Sequence, residues 1–145
     1  QARVGRNLNS FTMFKLRTMR LDTLSFPSHL ADISAVTPFG RFLRRTKLDE
    51  LPQLWNVLAG DMSLVGPRPG LPNQVELTKT GKELDVFDVR PGITGLAQIS
   101  GVNMSTPQLL AETDARMIAE MSLYNYFRYL FLTFAGKGSG DGIKS

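Results

Sequence analysis

RRTKLDELPQLWNVLAGDMSLVGPRP, residues Arg44 to Pro69, is the stretch from which the rest of the chain can be read. Three cations, Arg44, Arg45 and Lys47, precede two adjacent carboxylates, Asp49 and Glu50. An apolar run with helical spacing follows. Asp49 suits an N-cap, and Pro52 falls in the first turn, where a missing N–H costs nothing. Leu51, Leu54, Trp55 and Leu58 share one helical face, and Gly60 is a natural stop. A short strand from Met62 to Val65 then meets a stiff turn, Gly66-Pro67-Arg68-Pro69-Gly70. Opposite charges gathered at a helix start suit phosphate chemistry. A carboxylate there can attack or hold a metal while cations neutralise phosphoryl oxygens.

Working outward, Ser10 to Arg17 alternates like a strand or hairpin arm. Asp22 to Pro38 reads as a loop, and Phe39 to Arg45 as a short basic helix opened by Gly40. Downstream, Pro72 to Leu84 is helical or irregular and Val86 to Val89 is strand-like. Arg90 to Gly95 forms a second rigid turn, and Leu96 to Ile99 a strand. Pro107 opens a helix to about Met121, and another covers Ser122 to Phe134. The expectation is one compact α/β (α+β) domain, residues 1–135, with short strands and peripheral amphipathic helices. A flexible tail, GKGSGDGIKS (136–145), follows it.

The composition excludes several classes. The 145 residues fit one domain, and 42% are hydrophobic, as in ordinary globular proteins. Cysteine is absent, so disulfides and thiolate metal sites are ruled out. The single histidine, His29, argues against a histidine-rich metal site or a Ser-His-Asp triad. Any metal should be a hard ion held by oxygen, such as magnesium. Nine of the 17 Lys and Arg lie at or before Lys47, against only Asp22 and Asp32. A basic N-terminal third implies an anionic partner. There is no apolar run of about 18 residues to span a bilayer and no signal peptide. The chain opens on Gln1, as a processed or truncated piece does.

Each candidate has a plainer reading. Asp49 and Glu50 can be an N-cap and a first-turn acid, both favoured by the helix dipole. Side chains of adjacent helical residues point about 100° apart, so the pair suits two different jobs at one site. Arg68, aimed by its flanking prolines, can grip a phosphate bidentately or merely make a surface salt bridge. Arg90, before Pro91-Gly92, has the same two readings. Lys15 and Arg17 share a strand face that lines an anion pocket or faces solvent. His29 reads as structural or exposed, and Asp114 and Arg116 as surface charges. The aromatics from Tyr124 to Phe134 read as core or as a protein contact, with an interfacial membrane surface as the sharper alternative.

Four blocks now fall into a known order: RVGRN (Arg3 to Asn7), FKLRTM (Phe14 to Met19), Gly40 to Pro69, and VRPGITGLAQISG (Val89 to Gly101). In these the chain resembles the bacterial sugar transferases, the monotopic phosphoglycosyl transferases. The resemblance implies transfer of a sugar-1-phosphate from a UDP-sugar to polyprenyl phosphate, with release of UMP. It makes Asp49 the nucleophile of a covalent phosphosugar intermediate and Glu50 a magnesium-holding residue. Lys15, Arg44 and Arg68 become phosphate-site residues, and Arg90 lies on the nucleotide side. The implied location is the cytoplasmic face of the bacterial cell membrane, with this piece alone compatible with solution. No nucleic-acid partner is implied, and homo-oligomerisation stays open. Family members carry a hydrophobic helix upstream of RVGRN. Ser100-Gly101-Val102 stands where Asn-Gly-Arg is frequent, Leu96 where Trp is common, and Leu16 where Phe is common. The rival readings are a non-enzymatic anion-binding module and an inactive truncated scaffold.

Overall fold

Four short strands and six helices organise the described residues, 1–22 and 33–138, of this computed structural model. Strands β1 (Ala2–Val4) and β2 (Ser10–Thr12) pair antiparallel, with Val4 opposite Ser10. Strand β3 (Ser63–Val65) pairs parallel with β4 (Gly92–Thr94). A parallel pair requires a crossover, supplied here through helix α3 (Val75–Glu83). The approach of the two strands is so close that a Cβ on Gly92 would overlap the Gly66 nitrogen.

Helix α1 (Pro38–Thr46) starts where Thr37 Oγ1 accepts the Gly40 N–H at 2.9 Å and Pro38 fills the first helical position. Helix α2 (Gln53–Ala59) stops at Gly60, whose φ of 88° favours glycine. Helices α4 (Leu96–Ile99), α5 (Pro107–Ala119) and α6 (Leu123–Phe134) complete the domain. Ser122 caps α6 by accepting the Asn125 N–H at 3.1 Å. Helix α5 contributes to both core clusters. Leu110 and Ala111 pack with Leu77, Ala97 and Met104, and Met117 packs with Val65 and Tyr129. Each large apolar side chain buried in this way contributes about 1.5–3 kcal/mol.

The mixed helix-and-strand class and most elements agree with the sequence reading, with five corrections. The strand expected over Ser10 to Arg17 ends at Thr12, and residues 13–18 form an extended arm outside either sheet. Val86 to Val89 is no strand. Asp85 turns left-handed (φ 58°) and Val86–Asp88 closes as a 3-10 turn. The place beside β3 is taken by Gly92–Thr94, so the rigid turn read over Arg90 to Gly95 is in its middle a strand, because glycine permits the close approach. Leu96–Ile99 therefore coils into α4, with the Ile99 N–H on the Gly95 carbonyl at 3.1 Å. Gly40 does not open α1; it lies where a Cβ would overlap the Thr18 carbonyl oxygen.

His29 and most of the loop read over Asp22 to Pro38 lie outside the described residues. The first tail residues are held: Lys47 Nζ donates to the Gly138 carbonyl at 2.9 Å. No helix among the described residues is long and apolar enough to cross a membrane.

Candidate active site

The arm of residues 13–18 is fastened to α2 by one buried side chain. Asn56 is 0% exposed; its Oδ1 accepts the Phe14 N–H at 3.0 Å and its Nδ2 donates to the Thr12 carbonyl at 2.8 Å. The Leu16 N–H donates to the Asp49 carbonyl at 2.9 Å. Lys15 lies between these latches, so its side chain is aimed at the carboxylates. Its Nζ sits 3.1 Å from Asp49 Oδ2 and 3.9 Å from Glu50 Oε1. Asp49 is only 2% exposed. A buried carboxylate requires such a partner, since an isolated charge away from water costs several kcal/mol.

The N-cap reading of Asp49 is thereby corrected. Asp49 lies inside a 3-10 turn, Leu48–Glu50, and Pro52 precedes α2 with no side-chain cap. The turn begins at Lys47, which ends α1 in the left-handed region at φ 60°. Such a conformation is uncommon for a side chain with a Cβ and persists only where the surroundings enforce it. It reverses the chain and brings Asp49 back to the arm. Arg44, one helical turn earlier, donates from Nε to Thr18 Oγ1 at 2.9 Å. Its Nη1 is buried without a hydrogen-bond partner among the described residues. A guanidinium nitrogen buried in this way is a donor suited to an anionic oxygen.

The Gly66–Gly70 turn is fixed by five backbone hydrogen bonds. Gly66 N–H meets the Thr94 carbonyl at 2.9 Å, and the Pro67 carbonyl accepts from Gly92 at 2.8 Å. Arg3 Nη1 reaches the Pro69 carbonyl at 3.2 Å, and the Gly70 carbonyl accepts from Val4 at 3.0 Å. The Arg68 N–H points at Asp114 Oδ2, 3.4 Å away. Arg68 is thus presented on a rigid mount. Arg90 is exposed on the rim of a cleft of about 430 Å³, together with Arg6, Ser63, Tyr126 and the Gly66-Pro67 backbone. Arg6 Nε is anchored on the Asp88 carbonyl at 3.0 Å.

The structure gathers Lys15, Asp49 and Glu50 into one cluster, and Arg44 of α1 is bonded to Thr18 at the end of the same arm. Arg68 and Arg90 line two clefts that share Pro67 and Val89. Two residues were missed. Asn56 gave no separate signal, being one polar residue in an apolar helix. Asp114, read as a surface charge, is 3% exposed. The signal was its spacing, because Asp114 falls on the stripe of Leu110, Ala111 and Met117.

Burial pushes the Asp114 carboxyl up to about 7, opposed by the Arg68 amide and guanidinium. A carboxyl whose proton is held more tightly in the folded state stabilises the protein at low pH. That contribution is lost as pH rises from about 4 to about 7. Asp114→Asn, which removes the buried charge, should therefore raise the melting temperature most at pH 8 and clearly less at pH 5, where only the first part of the contribution has been lost. Melting curves at the two pH values check this; equal shifts at both would contradict it.

Among the described residues no three acidic or imidazole side chains cluster as a metal cage. The donors present are the Asp49 and Glu50 carboxylates, close enough to flank one ammonium. That set fits a hard cation such as magnesium, which keeps most of its water, takes one or two carboxylates and shares phosphate oxygens.

A family profile described as bacterial sugar transferase matches residues 1–137. The chain belongs to the bacterial sugar transferase family. Among its sugar transferase relatives, EpsL of Bacillus subtilis, described as an uncharacterized sugar transferase, is 40% identical over 144 residues, covering 99% of this chain and 71% of EpsL. Galactosyl transferase CpsE of Streptococcus agalactiae is 38% identical over 159 residues, covering 99% of this chain and 35% of CpsE. The UDP-glucose:undecaprenyl-phosphate glucose-1-phosphate transferase of Xanthomonas campestris pv. campestris is 38% identical, covering 92% of this chain and 30% of that enzyme. This sugar transferase chain therefore spans about a third of the length of the latter two.

Proposed function

We propose that this chain is the catalytic part of a phosphoglycosyl transferase that moves a sugar-1-phosphate from a UDP-sugar to polyprenyl phosphate. The observation that carries the reading is the buried Asp49 carboxylate with an ammonium 3.1 Å away and Glu50 at its side. An Asp49 oxygen attacks the sugar-bearing phosphorus, and the bridging P–O bond breaks. UMP leaves with the bridging oxygen and its electron pair. A phosphate oxygen of the lipid then attacks the same phosphorus and returns Asp49 as carboxylate. The covalent intermediate lets one small pocket serve two large substrates in turn, which predicts ping-pong kinetics.

Both partners in the attack are anionic, so the residues around Asp49 must quench charge. Lys15 lies closest. Arg44 brings a buried donor, and Arg68, on its own turn beside Asp114, would bring its guanidinium to the donor's phosphates. Glu50 would hold magnesium, whose positive charge offsets that of the diphosphate when bound. The cleft rimmed by Arg6 and Arg90 suits the nucleotide in charge and size. The Xanthomonas relative is named for UDP-glucose as donor and undecaprenyl phosphate as acceptor. The reaction would initiate assembly of a bacterial surface glycan. A screen of UDP-sugars with undecaprenyl phosphate and magnesium, read as UMP on the full-length protein, tests this. UMP release with none of the donors would refute it.

A lipid acceptor requires contact with the membrane, and the apolar face of α2 supports that contact. Leu51, Leu54, Trp55 and Leu58 are all exposed, Trp55 at 65% and Leu58 at 82%, while Gln53 and Asn56 face inward. Phe39 and Phe42 on α1 stack at 6.3 Å and are exposed, with exposed Arg41 and Arg45 beside them. An apolar face bordered by cations suits the surface of an anionic bilayer. Trp55→Ser with Leu58→Ser should leave the fold intact and weaken sedimentation with anionic vesicles by about tenfold or more. Unchanged vesicle binding would remove this face from the account.

A further inference from the structure

We propose that Asp114 is a positioning residue for the reaction: through the Arg68 amide it sets the Pro67-Arg68-Pro69 turn, and with it the guanidinium that meets the donor's diphosphate. The inference rests on the transferase reading above and adds a residue from a helix outside the carboxylate cluster. Four observations support it. Asp114 is nine-tenths buried or more, where a carboxyl is not placed without a partner. Its Oδ2 faces the Arg68 N–H at 3.4 Å. Its Oδ1 is buried without a hydrogen-bond partner among the described residues. Every other partner of the turn's backbone named above is a carbonyl, an amide or the permanently charged Arg3. Asp114 is therefore the one partner whose acceptor strength can change with pH.

The surroundings isolate that effect. Among the described residues, Asp114 and Arg68 are the only charged residues lining the cleft they share. The charged groups on the packed elements do not line it: Glu76, Lys79, Lys82 and Glu83 of α3, Asp85 and Asp88 at the 3-10 turn, Arg3 and Arg6 of the N-terminal segment, and Glu112 and Arg116 of α5 itself. Burial raises the proton affinity of Asp114 into the neutral range. An ionised carboxylate holds an amide more strongly than a protonated one. The turn is therefore held best above about pH 7 and loosens below it.

The test is affinity for UDP-glucose, whose two phosphates keep their charge across this range, measured on the full-length protein at pH 6 and pH 8. Wild type should bind several-fold more tightly at pH 8. Asp114→Asn keeps an acceptor for the Arg68 amide and removes the charge, so it should bind several-fold more weakly at pH 8 and lose the pH response. Asp114→Ala, which removes the acceptor, should lose more, at a folded fraction verified by melting. Wild-type binding with an Asp114→Asn variant of equal affinity and equal pH response overturns this proposal alone. Failure of the wild type to bind any UDP-sugar overturns it together with the transferase reading.

Discussion

Asp49→Asn is expected to lower UMP release by about 10⁴-fold or more while the chain stays folded. A carboxamide oxygen is far too weak a nucleophile to displace UMP, and among the described residues Asp49 is the carboxylate nearest Lys15. Glu50 is the neighbour, yet Lys15 Nζ is 3.9 Å from it and 3.1 Å from Asp49. The structural cost is limited. The Lys15 side chain keeps 22% exposure, so its ammonium can recruit water once its partner is neutral. Loss of such a pair costs about 1–3 kcal/mol, less than the stability of an ordinary domain. A melting curve alongside the UMP assay separates the two effects. Activity within tenfold of wild type in a folded Asp49→Asn protein would end the nucleophile assignment. Salt-sensitive anion binding indifferent to Asp49 would favour the non-enzymatic module instead.

Gly40→Ala should lower both stability and turnover, with a sign opposite to helix propensity. Alanine in mid-helix is favoured over glycine by about 1 kcal/mol. Here the added Cβ would overlap the Thr18 carbonyl oxygen, with the Thr18 carbonyl carbon and Cα each 2.8 Å away. These are backbone atoms, which cannot swing aside as a flexible side chain can. Helix α1 must move off the arm. The bonds at risk are the Thr37 N–H to the Thr18 carbonyl at 3.0 Å and Arg44 Nε to Thr18 Oγ1 at 2.9 Å. The net loss is about 2–4 kcal/mol, or roughly 5–15 °C in Tm. Turnover should fall further than the folded fraction, because Arg44 leaves the Lys15 arm. A Gly40→Ala protein as stable as wild type would show that α1 is not held through this contact.

How far the sequence reached can be judged from particular residues. Spacing placed Leu51, Leu54, Trp55 and Leu58 on one face of a helix but could not say which way that face points. It points outward, because Gln53 and Asn56 hold the inner side and Asn56 fastens the arm. A periodic pattern identifies an amphipathic element and says nothing of what covers its apolar side. Leu96 to Ile99 was misread because four residues, three apolar around Gln98, are too few to show a period. The decision came from Gly92, which lets a different segment pair with β3. The capping rule failed at Asp49 because a tertiary partner, Lys15, outweighed a local one. Motif order identified the carboxylate pair and Lys15, and the fold joins them within 4 Å. Asp114 escaped because a carboxylate on an apolar stripe reads as a surface charge until its burial is seen.

The most direct test is intact-mass spectrometry of the full-length protein mixed with UDP-sugar and magnesium, before any lipid acceptor is added. The account predicts a phosphosugar adduct on one site, mapping to the peptide that contains Asp49 and discharged when polyprenyl phosphate is added. Steady UMP release in the presence of lipid with no such adduct, or with the adduct on another residue, would contradict it.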